Sequence, residues 1–446
     1  MEHNAKIYIN GKLQLPSNFN RIPFDIYKIN NKIIYHVEEY NIIKSPTKIY
    51  ISSLIKDTGL GLNASKAITL NRFNYNFNNG LYSGNNFELI FVDKVYIANG
   101  DDFILENQNM NLIIRSGVGF TWIGKVEYNG NNLSEWTLQD NIYVATQTVE
   151  KEITDIVNLT YLDEFDMPLP YVEVDTLEKC KATKGSFYQN GVKIYHNPYN
   201  EHDATKSFTI FSTRCMSIRM FNPSANKCIV KDIGFFSDSL YYATDDVNKE
   251  TYFINCKFHR GKQDSFSAIG KYTVYMLDCI ANYGSKDNFN YHTFDANSFV
   301  LEINCKGYGA GIYKMPLSDA NTTTNSNNGS TAHDGLTIVR LGCSYWDCEG
   351  PIVADINNCS SFNLEVSAKD TVATNTGYRT SFLLIADNST SVEDINPRYL
   401  INCSGGGKYI KYGYVVTDGT YVNNFKGNTS HKGISRVAEL DGEIYE

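Results

Sequence analysis

A chain of 446 residues exceeds what one ordinary core supports, so one elongated fold or two to three domains are expected. Hydrophobic residues at 42% and charged residues at 20% exclude global disorder, and a net charge of −9 disfavours nucleic-acid binding, which needs a basic surface. No stretch reaches the roughly 18 apolar residues that cross a membrane, so no insertion is expected. Met1 to Lys6 carry no hydrophobic h-region, so no secretory signal is expected either.

Residues 1–45 alternate apolar and polar around Ile7-Tyr-Ile9 and Ile33-Ile-Tyr35, the pattern of a small β leader. Over 46–120, Lys48-Ile-Tyr-Ile-Ser52, a Gly/Asn turn at Asp57 to Asn63 and strands near Glu88–Val92, Lys94–Ala98 and Asn111–Arg115 read as first coils. The period is lost over 121–207, a stretch with Trp122, Trp136, Pro168, Pro170 and a strand near Gly191–His196, expected to be a β-rich insertion. Coils resume from 208 and run to 417, and 418–446 is a polar tail.

A repeat fixes the architecture. Strands ending in Asn-Cys or Asp-Cys recur at Tyr252–Cys256, Tyr275–Cys279, Leu301–Cys305 and Tyr399–Cys403. From Cys228 through Cys256 and Cys279 to Cys305 the intervals are 28, 23 and 26 residues. That period suits one coil of a right-handed parallel β-helix, an all-β solenoid. Period-2 alternation is read as placing Ile254, Leu277 and Ile303 inside and their neighbours, Glu302 among them, outside. The ten cysteines stand singly, without a CxxC pair, and are expected to be reduced and buried; no metal or other cofactor is expected.

Aligning adjacent coils on Cys256 and Cys279 matches Asp264 with Asp287 and Phe266 with Phe289. Rungs about 4.8 Å apart would bring the two carboxylates together and raise one pKa, as an acid/base pair requires. The alternative is that both aspartates cap turns. His292 is a candidate acid or base near neutral pH, with Phe289, Asn290 and Tyr291 as sugar-binding neighbours. Glu302 is a third candidate acid. His333 and Asp334 form a titratable pair where the chain re-enters a strand, or simply a turn with Gly335. Asp355 and Trp346 are secondary candidates, as acid and sugar platform.

The series Asp287-x-Phe-Asn-Tyr-His292, Glu302-Ile-Asn-Cys305, Ser330-Thr-Ala-His-Asp-Gly335 and Gly350-Pro-Ile-Val-Ala-Asp355 resembles pectate-lyase-like β-helix proteins of bacteriophage tails. The resemblance implies a homotrimeric tailspike depolymerase, associated with other tail proteins. Such a protein is made in the host cytoplasm and cleaves a bacterial surface polysaccharide from the virion tail. Hydrolysis by Asp264, Asp287 and Glu302 is favoured over elimination, in which His292 or His333 is the base and Lys286 or Arg260 neutralises a uronate. A non-catalytic receptor-binding adhesin is the alternative.

Overall fold

The computed structural model describes residues 8–98, 110–125, 136–147, 150, 153, 155–159, 161–199, 209–212, 218–221, 227–236, 240–243, 249–261, 263–313, 327–370, 381–386, 398–407, 412–417 and 425–430. From residue 227 the chain repeats a coil of three strands. Lys227–Lys231, Lys249–Ile254, Tyr272–Leu277, Phe299–Ile303, Thr337–Leu341 and Ser360–Leu364 stack in parallel as a first face. Ile233–Phe236, Lys257–Gly261, Ile280–Gly284, Lys306–Tyr308, Ser344–Trp346 and Ser367–Asp370 form a second. Leu240–Ala243, Phe266–Gly270, Phe289–Thr293, Ser330–His333 and Val353–Ile356 form a third. Each strand pairs with its equivalent one coil on, which makes the chain a parallel β-helix.

The recurrent Asn/Asp-Cys step has a backbone cause. Asp232, Asn255, Asp278 and Asn304 have φ of 56°, 50°, 53° and 53°, and Gly342 has 61° at the same place. This left-handed residue turns the chain from the first face to the second, and Asn, Asp and Gly are the types that adopt it most readily. The cysteine that follows points into the core. Cys256, Cys279 and Cys305 each donate a thiol hydrogen bond to a carbonyl of the preceding coil, at 3.3, 3.3 and 3.2 Å. All nine described cysteines are buried, and no disulfide joins any two of them; Cys215 lies outside the described residues.

The strands of the first face are apolar on both sides, and the inside-outside assignment from alternation is inverted. Phe253, Met276 and Val300 belong to the solenoid interior, whereas Leu277, Leu301 and Ile303 point outward, beneath Leu13, Phe19, Ile26 and Ile33 of the leader. The leader is a four-stranded antiparallel sheet that lies along this outer side. Phe19 packs on Phe362 and Tyr399, Asn304 donates to the carbonyl of Ile33, Tyr35 bonds Asp278 and Lys231 pairs with Glu39 at 2.5 Å. Each outward Leu or Ile so covered contributes about 1.5–3 kcal/mol relative to exposure.

Asn111–Ser116 pairs directly with Lys227–Lys231, Thr121–Lys125 with Ile233–Phe236, and Ile218–Phe221 with Leu240–Ala243, so the described residues between 136 and 199 form an excursion outside the coils. Within it, Thr137–Gln139, Ile142–Thr146, Lys193–Asn197, Ser186–Asn190 and Val172–Glu173 form a second, five-stranded sheet. Val157 and Met167 of this excursion pack on Trp122, Phe236 and Tyr308 along the outer side of the second face. A buried ion pair, Arg260 to Asp155 at 2.6 Å, pins it there. The helix Leu70–Asn78, capped by the Thr69 side chain, closes the first coils with Leu70 and Phe73 buried. A last strand, Phe425–Ser430, pairs with Arg398–Gly407, within the stretch expected as a tail.

Candidate functional site

The leader covers the first face and the excursion covers the second. Among the described residues, no apolar cluster covers the outer side of the third. That side carries the polar residues that the sequence singles out around 287–292 and 330–334.

Register places Phe266 beside Phe289, so Asp264 and Asp287 are equivalent residues of adjacent turns, as the alignment on cysteines anticipates. They act as turn caps between coils. Asp264 accepts from the Asp287 amide at 3.2 Å and from Asn290 Nδ2 at 2.9 Å. Asp287 accepts from the amides of Asn327 and Asn328 at 2.9 and 2.7 Å. Their relative exposures are only 4% and 3%. Burial first, and then the charge of Asp287, push Asp264 up to about 7; burial also raises Asp287. The pair titrates as a unit and is withdrawn from solvent.

One strand further on, the rings of His292 and His333 stack with centroids 4.0 Å apart and planes 13° from parallel. His292 Nδ1 lies 3.4 Å from Asp334 Oδ2, with side-chain exposures of 34% and 41%. Asp334 has φ of 65° and its Oδ1 accepts from Asn357 Nδ2 at 2.9 Å, so the next coil fixes the carboxylate. A proton on Nδ1 of His292 satisfies the contact and leaves Nε2 for acid/base work. Burial and the neighbouring charge of His292 push His333 well below the usual imidazole range, so it remains a neutral base. His292, His333 and Asp334, which were separate candidates in sequence, form one cluster.

Other expectations are overturned. Phe289 and Tyr291 are core residues, not sugar platforms: on an inward-outward strand they share the inner side, while Asn290 and His292 face outward. Glu302 points inward, because Leu301 and Ile303 take the outer side under the leader. Its carboxylate accepts from Ser330 Oγ at 2.8 Å and from the Tyr345 hydroxyl, and burial raises its pKa. Asp355 is also buried: Arg340, itself inside the solenoid, donates to Asp355 Oδ1 at 3.2 Å, to Asn363 Oδ1 at 3.1 Å and to Ser330 Oγ at 2.9 Å. Burial opposes the charge on Arg340, but Asp355 and Glu302 overcome it. Glu302 and Asp355 are therefore core ion partners, not accessible acids.

Trp346 is on the second face, stacked on Tyr308 at 4.6 Å and 6° and packed against Phe165, away from the histidines. Arg260 is held by Asp155 beneath the excursion and is not a free cation for a substrate. Glu302, Cys305 and Cys343 bring donor atoms within 4.8 Å of one another, a spacing a metal could use. Each is already engaged, Cys343 with the Glu302 carbonyl and Cys305 with the Met276 carbonyl.

Sequence reasoning missed Phe294. It follows the His292 strand with 72% of its surface exposed, and its amide donates to the Gly270 carbonyl at 3.1 Å. No periodicity marks a single exposed phenylalanine.

Fold and surface together define an all-β solenoid with a histidine-aspartate cluster on its third face. No protein-family model matches the chain, and no curated protein matches it. Among solved structures, a complex of XylC with xylose is similar at 11% identity and TM-score 0.43, covering 86% of this chain and 70% of that one. The tailspike gp61 of Pseudomonas phage phi297 is similar at 9% identity and TM-score 0.27, covering 89% and 77%. The tailspike gp49 of Pseudomonas phage LKA1 is similar at 11% identity and TM-score 0.20, covering 86% and 76%.

Proposed function

We propose that this chain is a phage tailspike that binds a bacterial surface polysaccharide along its third face and cleaves it there. The observation that carries the reading is the stacked His292–His333 pair, oriented by Asp334 and partly exposed on that face. A neutral imidazole beside one that a carboxylate orients supplies both halves of acid/base catalysis: one accepts a proton and the other returns one to the leaving oxygen. The resemblance of the motif series to phage-tail β-helix proteins supports the substrate class, the homotrimeric assembly with other tail proteins and the location on the virion tail.

Hydrolysis by the Asp264–Asp287 pair loses support, because both carboxylates serve as turn acceptors. Cleavage falls to the histidines. The same burial favours one second reading, a non-catalytic adhesin, since Asp264, Asp287, Glu302 and Asp355 are all buried.

The test is reducing-end release from a panel of capsular and exopolysaccharides, with the ultraviolet absorbance of unsaturated uronates followed in parallel. Reducing ends released by the wild type and lost in His292→Ala support the reading, and rising absorbance would identify elimination. Tight binding without turnover on any bound glycan would make the protein an adhesin.

A further inference from the structure

We infer that Phe294 is the floor of a sugar-binding subsite beside the histidine pair, and that it takes a pyranose ring presenting an unbroken C–H face, as galactose-configured rings do. This rests on the glycan reading above and names a subsite within it.

Phe294 is the first residue beyond the strand that carries His292, at a bend, and its amide still joins the ladder by donating to the Gly270 carbonyl at 3.1 Å. The intervening Thr293 is buried, its hydroxyl bonded to the Gly270 carbonyl at 3.0 Å and to Ser298 Oγ at 2.6 Å. With Thr293 buried between them, the partly exposed His292 and the exposed Phe294 flank it, their Cα atoms no more than about 6.6 Å apart. That separation is about the length of one pyranose. A ring lying on Phe294 presents its glycosidic oxygen towards the imidazoles.

Phe289 and Phe299, the nearest phenylalanines in sequence, are both fully buried, while Phe294 leaves 72% of its surface in water. Phenylalanine has no polar handle, so the face it offers suits C–H bonds and not hydroxyls. A charged rim flanks it. Gly270 pairs with Thr293, which brings Lys271 alongside Phe294 one coil earlier, and Lys271 Nζ lies 3.8 Å from Asp295 Oδ2. An ammonium and a carboxylate at the edge of an apolar platform supply donor and acceptor for ring hydroxyls.

Affinity electrophoresis of the full chain in gels containing purified capsular polysaccharides, some galactose-rich and some galactose-free, tests the subsite. The wild type is expected to be retarded by galactose-rich members. Phe294→Ala is expected to lose about tenfold in affinity, and Phe294→Trp to recover most of it. Because the side chain is exposed, the thermal midpoints of all three proteins should agree. Where the wild type cleaves the glycan it binds, Phe294→Ala should raise KM and leave kcat within a few-fold, whereas His292→Ala should lower kcat. Equal retardation of wild type and Phe294→Ala, or preference for galactose-free glycans, overturns the subsite alone. A wild type that binds no member of the panel overturns the subsite together with the glycan reading.

Discussion

His292 and His333 come from adjacent coils and their rings stack 4.0 Å apart, and among the described residues only His292 has a carboxylate to share a proton with. The two positions are thereby made unequal: one imidazole is oriented by Asp334, and the other is held neutral. Replacing His292 with Ala is expected to lower kcat by about 10²–10⁴, the usual worth of a positioned acid/base group. Asp334→Asn should cost less and shift the pH profile of kcat. Initial rates on the cleaved glycan measure both, and wild-type rates in His292→Ala would remove the histidines from the chemistry.

Mild acid should loosen the fold through its buried histidines. Burial drives His196 and His259 down to about 3, whereas an unfolded histidine titrates near 6.5. Between those values the unfolded state binds the extra proton, so stability falls as pH drops below about 6.5. At pH 5 each histidine costs about 2 kcal/mol. Asp264 has the opposite sign: its folded value of about 7 exceeds that of a free carboxyl, so its contribution is lost as pH rises from about 4 to 7. His333 adds to the histidine side, and Asp287 and Glu302 add to the carboxyl side, so the histidine term shows as a steeper rise of the thermal midpoint with pH, up to about 6.5, than a protein lacking one of these histidines has. His196→Phe should flatten that climb, and a slope equal to wild type would count against the assignment.

Arg340 is the only cation paired with Asp355 among the described residues, and both are buried. Arg340→Met leaves buried carboxylates uncompensated and is expected to cost about 3–5 kcal/mol in urea unfolding. Adding Asp355→Asn should restore part of the loss. A double variant no more stable than the single one would show that the pair is not coupled.

Asp287→Ala separates capping from catalysis. It orphans the buried amides of Asn327 and Asn328, at about 1–3 kcal/mol for each group. Folded protein should nevertheless keep turnover within a few-fold of wild type. A loss comparable to that of His292→Ala, in protein folded by circular dichroism, would return Asp287 to the active site.

Much of this was legible in the residues. The Asn/Asp-Cys step marks both the coil period and the left-handed bend, because few other types adopt that φ and because the cysteine fills a small interior position. The same spacing fixed the Asp264–Asp287 register. Facing was not legible. Phe253-Ile254 and Met276-Leu277 are apolar at both positions, since the leader buries the outer side as well, and a strand buried on both sides carries no alternation to read. Glu302 was misplaced for that reason: a charge beside Ile303 reads as outward unless Arg340, one coil on, is known to face it. The His292–His333 stack was hidden by irregular coil length between the two strands.

The leader changes what kind of object the solenoid is. Stacked coils touch only their neighbours, so their stability is normally a sum of local terms and they can melt piecemeal. Here Phe19 grips Phe362 and Tyr399, Tyr35 reaches Asp278, and Glu39 reaches Lys231. These leader residues therefore have no seat until the later coils exist. They wait as an unsatisfied strap and then fasten the whole stack at once, joining a one-dimensional array into a single cooperative unit.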